Sequence, residues 1–194
     1  MNKIHIVLIA ILAFLMIGSE CIFGETKPRS QQSSLDRSTP GRTLESLAYV
    51  YTVSRNIDDY KRLLSGGGGG DSPSAYAFYF DPNDVGTIVP GSGYQIPQSW
   101  TYQEDTTATN TMFNGSATVE KAADISLDIL NTGQYDDPSI PGNTYTANNV
   151  MIQLYLWPHD ESFAYLATGP CDFEFVKVGD SWLIKAWYDR TGGS

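Results

Sequence analysis

Apolar and polar residues alternate on both sides of a Gly-Asp pair near the end of the chain, in Cys171 to Arg190, CDFEFVKVGDSWLIKAWYDR. Phe173, Phe175 and Val178 lead in; Trp182, Ile184 and Ala186 lead out. This predicts a β-hairpin whose turn angles fall on Gly179 and Asp180. Upstream, Leu44, Leu47, Ala48 and Tyr51 recur at helical spacing behind Thr43, which serves as an expected N-cap. Asn56 opens a second, shorter helix carrying Tyr60, Leu63 and Leu64, with Asp58 and Asp59 near its positive end. Ala75 to Phe80 reads as a strand with Tyr76, Phe78 and Phe80 on one face and Tyr79 on the other. A third helix is expected from a cap at Ser99 to Asn114, its weak apolar stripe made of Trp100, Thr107 or Ala108, Thr111 and Met112. Beyond Ala117 the alternation becomes two-residue: Ile125, Leu127 and Ile129, then Ile152, Leu154 and Leu156 against Met151, Gln153, Tyr155 and Trp157, then Phe163 and Tyr165. The polar stretch Asn131 to Asn149 is expected to project from the sheet edge as a loop.

The first residues break this pattern. Lys3 precedes an uncharged apolar run from Ile4 to Ile17, shorter than the roughly 20 residues of a membrane span and suited to an export signal. Residues 1–24 therefore read as a leader, 25–40 as a polar tether too poor in apolar groups to fold, and 41–190 as one domain. The domain is expected outside the cytoplasm, in the cell envelope or secreted. Gly18, Ser19, Glu20 and Cys21 leave several fates open: lipidation of Cys21, cleavage after Ser19 or Gly24, or retention as an anchor. Membrane association is expected only through this leader or its lipid.

The 194 residues carry a net charge of −10, and no basic cluster suited to nucleic-acid phosphates interrupts it. Five glycines, Gly66 to Gly70, lack the lysine and following helix of a phosphate-binding loop, so they read as a connector. Cys171 starts an apolar strand and reads as a buried small hydrophobe; a nucleophilic role would need a base, and His159 lies in an exposed-looking turn. Asn114-Gly115-Ser116 reads as a helix-ending turn in what looks like a bacterial chain.

The order helix, helix, strand, helix and then several antiparallel strands spans about Pro40 to Arg190. With LESLAYVYTVSRNIDDYKRLL, YFDPNDVG and DSWLIKAWYDR it resembles the NTF2-like (cystatin-like α+β) superfamily, and within it an exported, lipoprotein-like subgroup with no established activity. The resemblance implies an α+β cone: a curved antiparallel sheet wrapped around about three helices, with a hollow that the third helix partly covers. Such a fold hosts many functions, so function must be read from a site.

No catalytic constellation is visible in the sequence, and no cofactor is expected. The leading expectation is a non-catalytic binding or interaction module. The alternative is a small-molecule isomerase or dehydratase using an acid and a tyrosine in the hollow, for which Tyr51, Tyr79 and Asp189 are available residue types. Strands converging on the hollow nominate Tyr79, Trp100, Tyr155 and Trp187 as a lining for a small apolar or aromatic ligand, with Asp189 near the rim. Asp81, Asn83 and Asp84 could hold calcium with backbone carbonyls, but Val85 interrupts the ligand spacing and the same residues suit a strand-ending turn, the preferred reading. An outward Trp157 or Trp187 suggests a homodimer through the convex sheet face.

Overall fold

The computed structural model describes residues 35–66, 76–89, 93–137, 139–158 and 164–190. The leader with Cys21, most of the tether, Gly67 to Gly70, His159 and Phe163 lie outside the described residues.

Helix α1 (Pro40–Tyr49) starts earlier than its apolar spacing predicts, because Thr39 rather than Thr43 is the cap. Thr39 is extended and accepts from Arg42 N, while Pro40 takes the first turn, where its missing N–H is not needed. Thr43 is instead buried, donating to Thr39 O at 3.0 Å and Trp182 O at 2.9 Å, so it ties the helix to the sheet. A π-helical turn, Val50–Ser54, follows and ends at Arg55 with φ 44°. Helix α2 (Ile57–Leu63) is capped as expected by Asn56, whose side chain accepts from Asp58 N and Asp59 N. Ser99 opens no helix. Strand β1 (Ala77–Tyr79) pairs with β2 (Ser99–Thr101), and α3 (Tyr102–Asn114) begins at Thr101, where Thr101 and Glu104 form a reciprocal capping box.

The remaining strands are β3 (Asp124–Ile129), β4 (Thr144–Trp157), β5 (Tyr165–Val178) and β6 (Ser181–Asp189). The β5–β6 hairpin turns at Gly179, φ 60°, with Val178 opposite Ser181. The sheet order is β2-β1-β6-β5-β4-β3. All neighbours are antiparallel except β1 and β6, which run parallel with Tyr79 opposite Tyr188, a departure from the expected all-antiparallel sheet.

The polar stretch read as a projecting loop is only partly one. Thr144 to Asn149 belong to β4, where Ala147 and Val150 both face inward across a register shift, with Asn149 at φ 55°. That bulge breaks the two-residue period and hides the strand from pattern reading. Thr132–Tyr135 forms a 3₁₀ turn packed on α1 so closely that a Cβ on Gly41 would lie 2.6 Å from Thr132 O.

Inner-face residues Ile125, Leu127, Leu154, Leu156, Phe173, Phe175, Ile184 and Trp187 meet Leu44, Leu47, Tyr51, Tyr60, Met112 and Phe113 in one core. A second, smaller cluster of Phe80, Val89, Ile96 and Trp100 lies beneath the segment joining β1 to β2. Three helices against a curved, unclosed mixed sheet make an α+β cone.

Candidate functional site

Two places concentrate polar chemistry. The first is inside the cone. Asp105 sits one turn into α3 and faces the core, so the buried residues of this helix are Asp105, Thr106, Thr109, Thr111, Met112 and Phe113; Thr111 and Met112 of the expected stripe are among them, whereas Thr107 is exposed and Ala108 only half-buried. The Tyr60 hydroxyl of α2 donates to Asp105 Oδ2 at 2.6 Å. Tyr51 and Tyr76 complete the surround; the Tyr76 hydroxyl is buried beside Tyr60 and Asp105 without a well-formed hydrogen bond. Tyr51, Tyr60 and Phe113 contact one another edge to face, with centroids 5.3 to 6.5 Å apart.

Burial raises the Asp105 carboxyl to about 7, and its tyrosine partners only partly oppose that rise. Burial, reinforced by the Asp105 charge, also raises Tyr51, Tyr60 and Tyr76, so all three remain neutral donors. A carboxyl poised near neutrality beside phenolic donors can hold or accept a proton.

The second place is the rim. Because β1 and β6 run parallel, their carboxyl ends emerge side by side and then diverge. A groove of about 420 Å³ opens there, lined by Tyr79, Phe80, Pro82, Val85, Gln98, Tyr188, Asp189 and Arg190. Tyr79 stacks on Tyr188 at 4.6 Å and 8°, and the Arg190 guanidinium lies 5.3 Å from the Tyr188 ring centre. Arg190 Nε meets Asp172 Oδ2 at 3.1 Å, and the Tyr188 hydroxyl donates to Glu174 at 2.9 Å. Partial burial and that carboxylate push the Tyr188 hydroxyl up to about 12.

The sequence-nominated aromatics do not share one cavity. Tyr79 and Asp189 line the groove, whereas Trp100 belongs to the small cluster and donates to the Tyr94 hydroxyl at 2.9 Å. Trp187 packs inward on Phe173 and Phe78, so it cannot serve the outer face as the dimer expectation allowed. Tyr155 lies on the opposite sheet face to Leu154 and Leu156 and stacks on Trp157. The alternation was legible; which side faced inward was not.

Asp81 is buried, and its Oδ1 accepts from both Asn83 N and Asn83 Nδ2 at 2.8 Å, the geometry of a strand-ending turn. No group of three or more acidic, histidine or cysteine side chains among the described residues is placed to hold a metal ion. Cys171 is buried, and desolvation drives its thiol far above the ordinary range, a setting that disfavours the reactive thiolate.

Sequence reasoning missed Asp105 as a core residue, and missed Tyr188, Arg190 and Gln98. The signal for the rim was the Tyr188-Asp189-Arg190 run at a strand end. No local pattern marks Asp105, whose burial depends on how α3 is rotated against α2.

The element order and the sheet order define an α+β cone, the architecture that the sequence resemblance implies. No protein-family model and no curated protein matches the sequence. Among solved structures the chain is similar to an NTF2-like superfamily protein from Salmonella enterica, at 14% identity over 76% of this chain and 84% of that one, with a TM-score of 0.44. It is similar to a candidate dehydratase of the NTF2-like family from Streptomyces avermitilis, at 8% identity over 76% and 89% of the two chains and a TM-score of 0.49. It is similar also to the Kfla4162 protein from Kribbella flavida, at 12% identity over 75% and 83%, TM-score 0.46. Likenesses this distant carry no argument about activity.

Proposed function

We propose that this chain is an exported, non-catalytic ligand-binding module of the cell envelope, with its ligand site in the rim groove. One observation carries the reading: the helix-facing interior around Asp105 is occupied by the protein's own rings, Tyr51, Tyr60, Tyr76 and Phe113, each at most 5% exposed, while the groove is open and lined by both aromatic and polar groups. Its size falls in the roughly 300–1,000 Å³ range of small-molecule sites. The test is a nuclear magnetic resonance titration with a library of small organic fragments. Perturbations clustering on Tyr79, Gln98, Tyr188 and Asp189 support the reading, and perturbations clustering on Tyr60 and Asp105 defeat it. A homodimer through the outer sheet face belongs to the same proposal, because Met151 and Leu166, each 40% exposed, lie beside Tyr155 and Trp157 there.

The Asp105–Tyr60 pair favours a second reading, an isomerase or dehydratase. In it, Asp105 moves the proton and the tyrosines donate to the developing oxyanion once the core opens to admit substrate. Loss of turnover in Asp105→Asn, with rim variants fully active, would favour this reading over the first.

A further inference from the structure

We propose that the π-helical turn Val50–Ser54, together with Arg55, guards the edge of β3 and holds the sheet closed against strand pairing with a second copy of this chain; the inference is independent of the rim groove. The open sheet ends in β2 on one side and β3 on the other. Edge strands present unpaired N–H and C=O groups that template pairing with another chain. Strand β2 is three residues long, a poor template by its shortness alone. Strand β3 is six residues long and alternates Ile125, Leu127 and Ile129 with Asp124, Ser126 and Asp128. Its edge needs a cover.

Side chains supply that cover. In an antiparallel ladder the bonds to the neighbouring strand fall on alternate residues, which leaves the backbone groups of Ile125 and Leu127 pointing away from β4. Thr52 Oγ1 accepts from Leu127 N at 3.0 Å and donates to Leu127 O at 3.5 Å. One hydroxyl thus occupies both backbone groups of the central edge residue. The Arg55 guanidinium donates to Ala123 O at 3.2 Å and Ile125 O at 3.4 Å, and it pairs with the Asp124 carboxylate. These are the groups that a further strand would bind. The turn is built to hold them: Arg55 N reaches Val50 O at 2.8 Å to close the wide loop, Arg55 takes φ 44°, and Val50 and Tyr51 are buried in the core.

A second copy is the occupant that fits an unguarded edge. Antiparallel pairing of β3 with β3 about a two-fold axis at Leu127 is self-complementary, since the N–H of that residue in each copy meets the C=O of the other. Ile125 then lies opposite Ile129, and Ser126 opposite Asp128, so no two acids face each other directly.

The test uses the full chain carrying Trp157→Glu, which removes association through the outer face, so its outcome does not depend on that proposed dimer. In this protein the Leu127 amide is expected to be protected from hydrogen exchange. Thr52→Val should lower that protection about tenfold, the scale of one lost hydrogen bond, whereas Thr52→Ser should keep it. In sedimentation, the double variant Thr52→Val/Arg55→Met should associate as concentration rises, and protection at Leu127 should return with association. Free exchange of the Leu127 amide with Thr52 and Arg55 both intact overturns the proposal. A folded double variant that stays monomeric to high concentration also overturns it, as does one that associates without protecting residues 125–129. Should the double variant not fold, Thr52→Val alone is read in both assays by the same criteria.

Discussion

Asp105 is the residue on which pH should act most visibly. Its folded-state value of about 7 stands above the ordinary 3.8, so the native state holds this proton more tightly than the unfolded chain does. The resulting stability is complete below pH 3.8, declines as pH rises and is exhausted above about 7; the shift corresponds to roughly 4 kcal/mol. Asp105→Asn keeps an acceptor for Tyr60 without the charge. Urea unfolding of both proteins between pH 4.5 and 8 should show the parent losing stability relative to the variant by a few kcal/mol, and parallel curves would show that folding leaves the carboxyl's pKa unshifted. The sequence could not reveal this. An aspartate in a first helical turn ordinarily faces solvent and favours the dipole, as Glu104 does here, and only the packing of α3 against α2 turns the next residue inward. Asn56, by contrast, was legible as a cap, because capping depends on neighbours in sequence alone.

At the scale of elements, two substitutions report on how helices are started and seated. Thr101→Ala removes the hydroxyl half of the capping box and should cost about 1 kcal/mol, seen as a lowered thermal midpoint without change in the folded spectrum. Gly41→Ala drives a methyl into the Thr132 carbonyl and should cost about 1–3 kcal/mol by displacing the 3₁₀ turn from α1. Neutral behaviour of Gly41→Ala in chemical unfolding would mean that this contact gives way freely. Periodicity located the β5–β6 hairpin because inner and outer positions alternate there in the residues that flank the turn. It failed at the start of β4, where the bulge between Ala147 and Val150 shifts the period, and at Ser99–Thr101, where a strand of three residues is too short to show any.

For the whole molecule, the order of the three helices, β1 and β3 to β6 was legible because these elements carry an apolar pattern of their own, whereas β2 and the pairing of strands far apart in sequence were not. The proposed dimer is tested at this level: sedimentation should show association that grows with concentration and is abolished by Trp157→Glu, while monomeric behaviour of the parent up to high concentration would remove the proposal. The parallel β1–β6 pairing has a consequence in time. Strand β6, translated last, lies between β1, translated first, and the rest of the sheet, and it also bridges Leu64 through Ile184. The early helices and the β1–β2 pair therefore have no completed surface to settle on until residues 181–189 have left the ribosome, and Tyr79 must then find Tyr188 across most of the domain. A chain of this topology is expected to complete its sheet only once β6 is available to join β1 to β5.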